Sequence, residues 1–308
     1  MISCTEFIPA YSELFTFLED NYGREEVSAF WKYLFQPDGK GIPLIGFVER
    51  EGIRGCFSYW SGTLSEEAAD CTLRLNEKAG WFRCTMHKCP SKGRLLELQK
   101  EIGIKPYHDY CLHCDSYRSA TEKVGLNYIY NFDGVDHAAC SLFVYDPKVF
   151  NGQIVIDENT ETLEIRASEK EYFHPDFHSS LNMGVAYVGD KYGKDVLESY
   201  LSRYTKNVYG SVIAGNSLKA IADRIQDTYN KEKAPDAVKI DLQEDSLQVN
   251  VSYCPGVKHL KATGREVSQW YRYTTEFVMA TLAKEMGFTF SMDSYDEATG
   301  AASYHFTK

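Results

Sequence analysis

Hydrophobic residues recur at helical spacing near the start of each half of the chain. They stand three and four positions apart, which predicts amphipathic helices. Short alternating segments flank the turns "NEKAG" in the first half and "QEDS" in the second, which predicts a β-hairpin at each place. The helical positions are Val27, Phe30, Trp31 and Leu34 in the first half, and Leu197, Tyr200, Leu201 and Tyr204 in the second.

The predicted elements follow one another in the same order in both halves. "FLEDNYGREEVSAFWKYL" aligns with "YVGDKYGKDVLESYLSRY", "TLRLNEKAGWFRCTMHKCP" with "VKIDLQEDSLQVNVSYCP", and "GLNYIYNFDGVDHAACSLF" with "GFTFSMDSYDEATGAASYH". Each half predicts two or three helices, a hairpin, two more helices and a last hairpin. We therefore expect an α+β fold of two tandem copies, each with helices and a four-stranded antiparallel sheet, related by a pseudo-two-fold axis.

This repeat predicts the boundaries of the domains. The first copy covers residues 1–150, and the second, which carries the candidate site, covers residues 171–308. Residues 151–170 contain Gly and Asn turn signals and the alternating stretch "TLEIRA". They predict a linker, which can include a small hairpin of its own.

Composition narrows the class of partner. Of the 308 residues, 44% are hydrophobic and 25% charged, which is typical of a folded protein. The net charge of −11 and the lack of a basic run argue against nucleic acid. Neither a signal peptide nor an apolar run of about 20 residues is recognisable, so we expect no membrane partner and a cytoplasmic location. A small-molecule ligand or substrate is the expected partner, and a homodimer is left open.

Two segments of the first copy resemble a known family. These are "CPSKGRLLEL" and "YCLHCDSYRSATEKVGLNYIYNFDGVDHAACSLFVYD", and they resemble the L-2-amino-thiazoline-4-carboxylic acid hydrolase family. The end of the second segment also resembles the 4-vinyl reductase domain and the TRAPP-type ligand-binding fold. The resemblance covers about residues 60–146. It implies a ligand-sized pocket between helices and a sheet and, for the hydrolase family, opening of a sulfur- and nitrogen-containing ring by water.

Eight of the nine cysteines lie in the first half, and Cys254 alone lies in the second. It precedes Pro255 where a strand is followed by a helix, and proline is favoured at the first position of a helix. The helix dipole and unpaired amides there stabilise a thiolate, which predicts a nucleophile or a metal ligand. His259, about one turn further on, is predicted to take its proton or to ligate beside it. The alternative is a small buried cysteine and a surface histidine.

The segment "EYFHPDFHSSLNMG" places His174 and His178 four residues apart, with Asp176 between them. If Pro175 is the first helical residue, both imidazoles lie near one face of the helix, at a spacing common in metal sites. Together with Cys254 and His259, these histidines predict a zinc-like site, or a Cys/His catalytic site in which Asp176 orients a histidine. The alternative is a chance pair.

The first half contains a denser group of cysteines and histidines. Cys111 and Cys114 have the C-x2-C spacing of zinc knuckles, although their segment looks helical. A structural metal and buried reduced thiols are both open here. The group comprises Cys84, His87, Cys89, His108, Cys111, His113, Cys114, His137 and Cys140.

Missing motifs exclude several common functions. The chain has no P-loop, GxGxxG, GxSxG or HExxH sequence, which argues against nucleotide cofactors, serine hydrolases and zincins. We expect a hydrolase of a small, cyclic, sulfur- or nitrogen-containing substrate, with Cys254 as nucleophile or ligand and His178, His259 and Asp176 as acid/base or orienting groups. The alternative is a non-catalytic protein that binds or senses a small molecule or a metal. The cofactor is unknown, and zinc is the candidate.

Overall fold

The fold is that of a computed structural model, which describes residues 1–35 and 43–308. The chain divides into two compact units. The five-stranded unit consists of Leu18–Glu97 and Tyr107–His174, and the four-stranded unit of Met1–Phe17, Leu98–Pro106 and Pro175–Lys308. Helices combine with two antiparallel sheets, which confirms the predicted α+β class.

The helices and strands follow the same order in both halves. The first half contains α1 (Phe7–Tyr22), α2 (Arg24–Leu34), α3 (Leu44–Glu51), α4 (Arg54–Glu66), β1 (Asp70–Asn76), β2 (Trp81–Lys88), α5 (Pro90–Ile102), α6 (Tyr117–Lys123), β3 (Asn127–Asn131) and β4 (Cys140–Tyr145). After β5 (Glu161–Ile165), the second contains α7 (Phe177–Tyr192), α8 (Lys194–Val208), α9 (Gly210–Gly215), α10 (Leu218–Lys231), β6 (Val238–Leu242), β7 (Ser246–Val251), α11 (Pro255–Ala262), α12 (Tyr273–Glu285), β8 (Thr289–Tyr295) and β9 (Ala302–Thr307). Among the described residues, four helices rather than two or three precede the first hairpin of each half.

The two sheets share a strand order. The larger sheet is ordered β3-β4-β2-β1-β5, and the smaller one, read from its other edge, is ordered β8-β9-β7-β6. The first four strands of the larger sheet therefore correspond one to one with the strands of the smaller sheet. This correspondence concerns topology alone, and the duplication with its pseudo-two-fold axis stays a prediction.

The segment predicted as a linker, residues 151–170, contributes a strand to a sheet. Its alternating stretch forms β5, which pairs antiparallel with β1 and places Leu163 opposite Leu73. Leu163 packs against the core that contains Leu73. The segment is thus not a free linker with a hairpin of its own, because an alternating strand with one apolar face is stabilised at the edge of an existing sheet.

The first 17 residues belong to the four-stranded unit, although the repeat assigned them to the first copy. The Phe7 ring stacks on Phe177 with centroids 4.7 Å apart. The Tyr200 hydroxyl donates a hydrogen bond of 2.9 Å to the carbonyl of Ala10. These contacts divide the chain differently from the predicted boundaries at 150 and 170.

The smaller sheet buries one face. In β7, Leu247, Val249 and Val251 are buried and alternate with more exposed residues, as expected for a sheet with helices on one side. In the five-stranded unit, the Trp60 ring of α4 stacks on Phe82 of β2 at 5.4 Å. No helix within residues 1–35 and 43–308 has the length and apolar character needed to cross a membrane.

Candidate functional site

Three ligand-type side chains from distant parts of the sequence meet inside the four-stranded unit. Cys4 begins the short 3-10 helix Cys4–Glu6, His178 lies in the first turn of α7, and Glu232 follows the last residue of α10. The Cys4 sulfur, an imidazole nitrogen of His178 and a carboxylate oxygen of Glu232 all lie within 4.8 Å of one another. The His178 and Glu232 side chains are only 1% and 2% exposed. The group is therefore secluded from bulk water.

Glu232 supplies negative charge to this group. Its Oε2 lies 3.0 Å from His178 Nε2, and its Oε1 accepts a hydrogen bond of 2.6 Å from the Cys4 amide. Burial opposes ionisation, but the attraction of His178 and the hydrogen bonds from His178, the Cys4 amide and Ser3 outweigh it and lower the pKa of Glu232 to about 2. The carboxylate therefore stays ionised although it is buried.

His178 is held at both of its ring nitrogens. Nε2 faces Glu232, and Nδ1 lies 2.8 Å from the Tyr271 hydroxyl. Burial raises the pKa of Tyr271 far above its ordinary value, so the hydroxyl keeps its proton. Two partners on opposite edges of the ring leave its plane little freedom to turn.

Both thiols of this region are neutral. Burial and the charge of Glu232 raise the pKa of Cys4. Burial also raises the pKa of Cys254, although the amides of Val257 and Gly256 donate to its sulfur at the start of α11. The predicted helix start at Pro255 is confirmed, but the thiolate expected there is not stabilised overall, because burial outweighs the helix terminus.

The partners of the Cys254 sulfur differ from those of the two histidines. Its sulfur is 3.3 Å from the Met1 thioether sulfur. In the part of the chain that the structure describes, no hydrogen bond joins Cys254 to His178 or to His259. Its assignment as nucleophile or ligand stays a prediction, and the observed polar contacts of its sulfur are the Met1 sulfur and two backbone amides.

Asp176 contacts a histidine, as the predicted catalytic arrangement requires. His259 Nε2 lies 3.3 Å from Asp176 Oδ1, and Arg265 Nη2 lies 3.3 Å from the same oxygen. The His178 and His259 rings are neighbours, with centroids 6.4 Å apart. Because His259 and Asp176 are 23% and 33% exposed, this pair is the accessible side of the region.

His174 does not form the predicted helical pair. Helix α7 begins at Phe177, so Pro175 is not its first residue and His174 lies outside the helix. The His174 ring belongs to the five-stranded unit, where Nδ1 lies 2.6 Å from Glu66 Oε2. The i, i+4 spacing was misleading because the helix starts two residues later than the proline suggests.

The sequence prediction missed Cys4, Glu232 and Tyr271. One local signal was present: "SCTE" is a capping box, in which Ser3 and Glu6 bond reciprocally, and it fixes the turn that holds Cys4. No local signal points to Glu232, because the bond from the Cys4 amide spans 228 residues of sequence. Cysteine, histidine and glutamate are all zinc ligands, and three of them leave one tetrahedral position open.

Comparison of the chain with protein-family models, with curated proteins and with solved structures finds no match. The resemblance to the thiazoline-carboxylate hydrolase family therefore stays a prediction.

Proposed function

We propose that the four-stranded unit binds a divalent metal ion of the zinc type through Cys4, His178 and Glu232. The observation that carries this proposal is the approach of three ligand atoms within 4.8 Å of one another in a buried place. Zinc lies roughly 2.0 to 2.3 Å from nitrogen, oxygen and sulfur ligands. The Cys4 and Glu232 side chains would have to turn toward an ion beside the fixed His178 ring. This is the predicted metal-binding alternative, with Cys4 and Glu232 in the place of His174, Cys254 and His259.

The surroundings of the three ligands suit a cation. Glu232 supplies a negative charge that its neighbours keep ionised. The Tyr271 hydroxyl lies at His178 Nδ1 and would fix the ring with Nε2 toward the ion, as partners of metal-binding histidines do. The Cys4 thiol would release its proton when it coordinates.

Zinc uptake by the reduced full-length chain, after removal of metals with a chelator, tests this proposal. We expect Cys4→Ala to lose one equivalent of zinc, or to bind it at least about 10-fold more weakly, because one of three ligands is removed. Cys254→Ala is the matched control. It removes an equally buried thiol of the same unit, 5% exposed against 1% for Cys4, and is expected to keep that equivalent.

Elemental analysis after dialysis gives the stoichiometry, and competition with a chromophoric chelator gives the affinity. Glu232→Gln is the second variant, because it removes the charge and keeps the shape. Equal zinc uptake by the parent chain and Cys4→Ala would contradict the proposal. So would equal losses in Cys4→Ala and Cys254→Ala.

A second candidate function is hydrolysis of a small cyclic substrate. It is favoured by the number of protein ligands, since catalytic zinc sites have three and keep the fourth position for water. His259 and Asp176, whose ring and carboxylate are partly exposed beside His178, would then be the acid/base groups. A homodimer and a cytoplasmic location stay predictions.

The hydrolase candidate has its own experiment. We expect the zinc-loaded chain to open the ring of L-2-amino-thiazoline-4-carboxylate, followed by nuclear magnetic resonance, and His259→Asn to slow this reaction about 100-fold. Lys258→Ala, an adjacent residue on α11, is the control. If the chain binds zinc at Cys4 but never opens the ring, hydrolysis of this substrate is excluded while metal binding stands.

A further inference from the structure

Four cysteines of the five-stranded unit line one small cavity. About 30 Å³ of it is open to water, more than the roughly 10–15 Å³ that one water molecule needs. It therefore has room for a single ion. The four residues, each a free thiol that is partly exposed, are Cys89, Cys111, Cys114 and Cys140.

The fold brings these thiols together from three segments. Cys89 joins β2 to α5, and its amide donates a 2.6 Å hydrogen bond to the carbonyl of Ala138. Cys111 and Cys114 lie on the 3-10 helix Tyr110–Ser116, and Cys140 begins β4. The convergence depends on the hairpin and the 3-10 helix, so the C-x2-C spacing alone could not show it.

His113 is arranged as a metal-binding histidine would be. Its Nδ1 lies 2.5 Å from the Tyr110 carbonyl, and because a carbonyl only accepts, Nδ1 carries the hydrogen and Nε2 the lone pair. Nε2 lies 3.5 Å from the Cys114 sulfur, so that thiol is the donor. Burial lowers the pKa of His113 to about 4, which keeps the ring neutral. A backbone carbonyl on the second nitrogen is a common partner of metal-bound imidazoles.

The Tyr130 hydroxyl links two of the segments. It hydrogen-bonds with the thiols of Cys114 and Cys140. Burial raises the pKa of Cys111 to about 11, and the charge of Lys92, which also lines the cavity, offsets part of this rise. A nearby ammonium group would offset part of the negative charge of several thiolates around one cation.

The lining points to a soft cation rather than a hard one. Among the described residues that line the cavity, none is a carboxylate, whereas magnesium and calcium prefer oxygen ligands. Cysteine sulfur selects zinc, copper(I) and similar ions. In the part of the chain that the structure describes, only the group in the four-stranded unit has three ligand atoms within 4.8 Å. The thiols here must therefore turn inward as an ion enters.

We propose that this cavity is a second metal site, which binds one thiophilic cation through Cys89, Cys111, Cys114 and Cys140 with His113 beside them. Each coordinating thiol gives its proton to solvent, and no atom changes oxidation state. The hydrogen of the Cys114 thiol is directed at His113 Nε2. A bound ion would replace this hydrogen. The site is independent of the one built on Cys4 and can exist without it.

Cadmium titration of the reduced full-length Cys4→Ala variant tests this site without a contribution from the other. We expect one equivalent of Cd²⁺ and an ultraviolet sulfur-to-cadmium charge-transfer band whose intensity corresponds to at least three thiolates. Adding Cys114→Ala should weaken binding at least about 10-fold and reduce the band. Adding Cys56→Ala, which removes a buried cysteine of α4 in the same unit, should change neither. Absence of the band in the parent chain and in Cys4→Ala would overturn the proposal.

Alkylation of the unsubstituted chain provides a test that needs no variant. The four residues are partly exposed, but burial raises the pKa of each thiol, so a small alkylating reagent at alkaline pH should label them slowly in the metal-free folded protein. One equivalent of Cd²⁺ beyond that taken up at Cys4 should protect all four, as mapped by peptide mass spectrometry. Equal labelling with and without Cd²⁺ would show that they are only packed thiols and would overturn the site, whatever the result for Cys4.

Discussion

Replacement of Glu232 by alanine should lower the free energy of unfolding by about 3 to 5 kcal/mol. Glu232 is buried, and its carboxylate faces His178 at 3.0 Å and the Cys4 amide at 2.6 Å. Alanine would leave an imidazole and an amide without their acceptor in a place that is secluded from bulk water. Losing one member of a buried pair costs far more than the pair contributes, because the remaining group stays desolvated.

The matched control for this prediction lies on α10, the helix that ends just before Glu232. Asp223 of α10 pairs with Lys219, and both side chains are more than 60% exposed. Asp223→Ala should change the free energy of unfolding by less than about 1 kcal/mol, because exposed pairs are solvated and screened. Urea denaturation of the metal-free variants gives both values. Equal losses for Glu232→Ala and Asp223→Ala would show that the buried pair is not stabilising.

The same carboxylate predicts a dependence of stability on pH in the metal-free chain. The pKa of Glu232 falls from its ordinary value of 4.5 to about 2 on folding. Because the pKa is lower in the folded chain, the ionised carboxylate stabilises the fold above pH 4.5. This contribution to the free energy of unfolding, at most about 3 kcal/mol, is lost as the pH falls from 4.5 toward 2. Glu232→Gln cannot titrate, so its stability should fall less over this interval. Parallel pH profiles for the parent and Glu232→Gln would refute the assignment.

The sequence predicted those features of the fold that depend on residues close together in the chain. Pro255 begins α11 because its fixed φ suits the first position of a helix. Gly125 and Gly287 follow the ends of α6 and α12 and adopt φ of +84° and +74°, which glycine tolerates best. The stretch "TLEIRA" was recognised as alternating, but its partner β1 lies about 90 residues earlier, and alternation does not indicate which strand is adjacent.

The site was harder to predict because burial decides its chemistry. The sequence indicated a helix terminus at Cys254, and the amides of Gly256 and Val257 do reach the sulfur. It did not indicate how deeply that terminus is buried, and burial reverses the expected shift of the thiol pKa. Cys4 and Glu232 meet through tertiary packing alone, with no spacing between them that a pattern could reveal.

Gly256→Ala should destabilise the four-stranded unit, with a loss of about 2 to 3 kcal/mol in the free energy of unfolding. Alanine in a helix usually stabilises relative to glycine by up to about 1 kcal/mol. Here the added Cβ would lie 2.0 Å from the Tyr271 hydroxyl oxygen and 2.8 Å from His178 Nδ1. Neither side chain can move away easily, because both are buried and hydrogen-bonded to each other.

Gly210→Ala is the control for this change, since Gly210 begins α9 and nothing lies within 4 Å of the position of its Cβ. It should leave the free energy of unfolding unchanged or raise it slightly, as measured by urea denaturation. Adding Tyr271→Phe to Gly256→Ala should recover part of the loss, because the closest clash is with the hydroxyl oxygen, and adjacent changes of this kind are not additive. If the losses of the two single variants add up in the double variant, overlap with Tyr271 is not the reason why this position requires glycine.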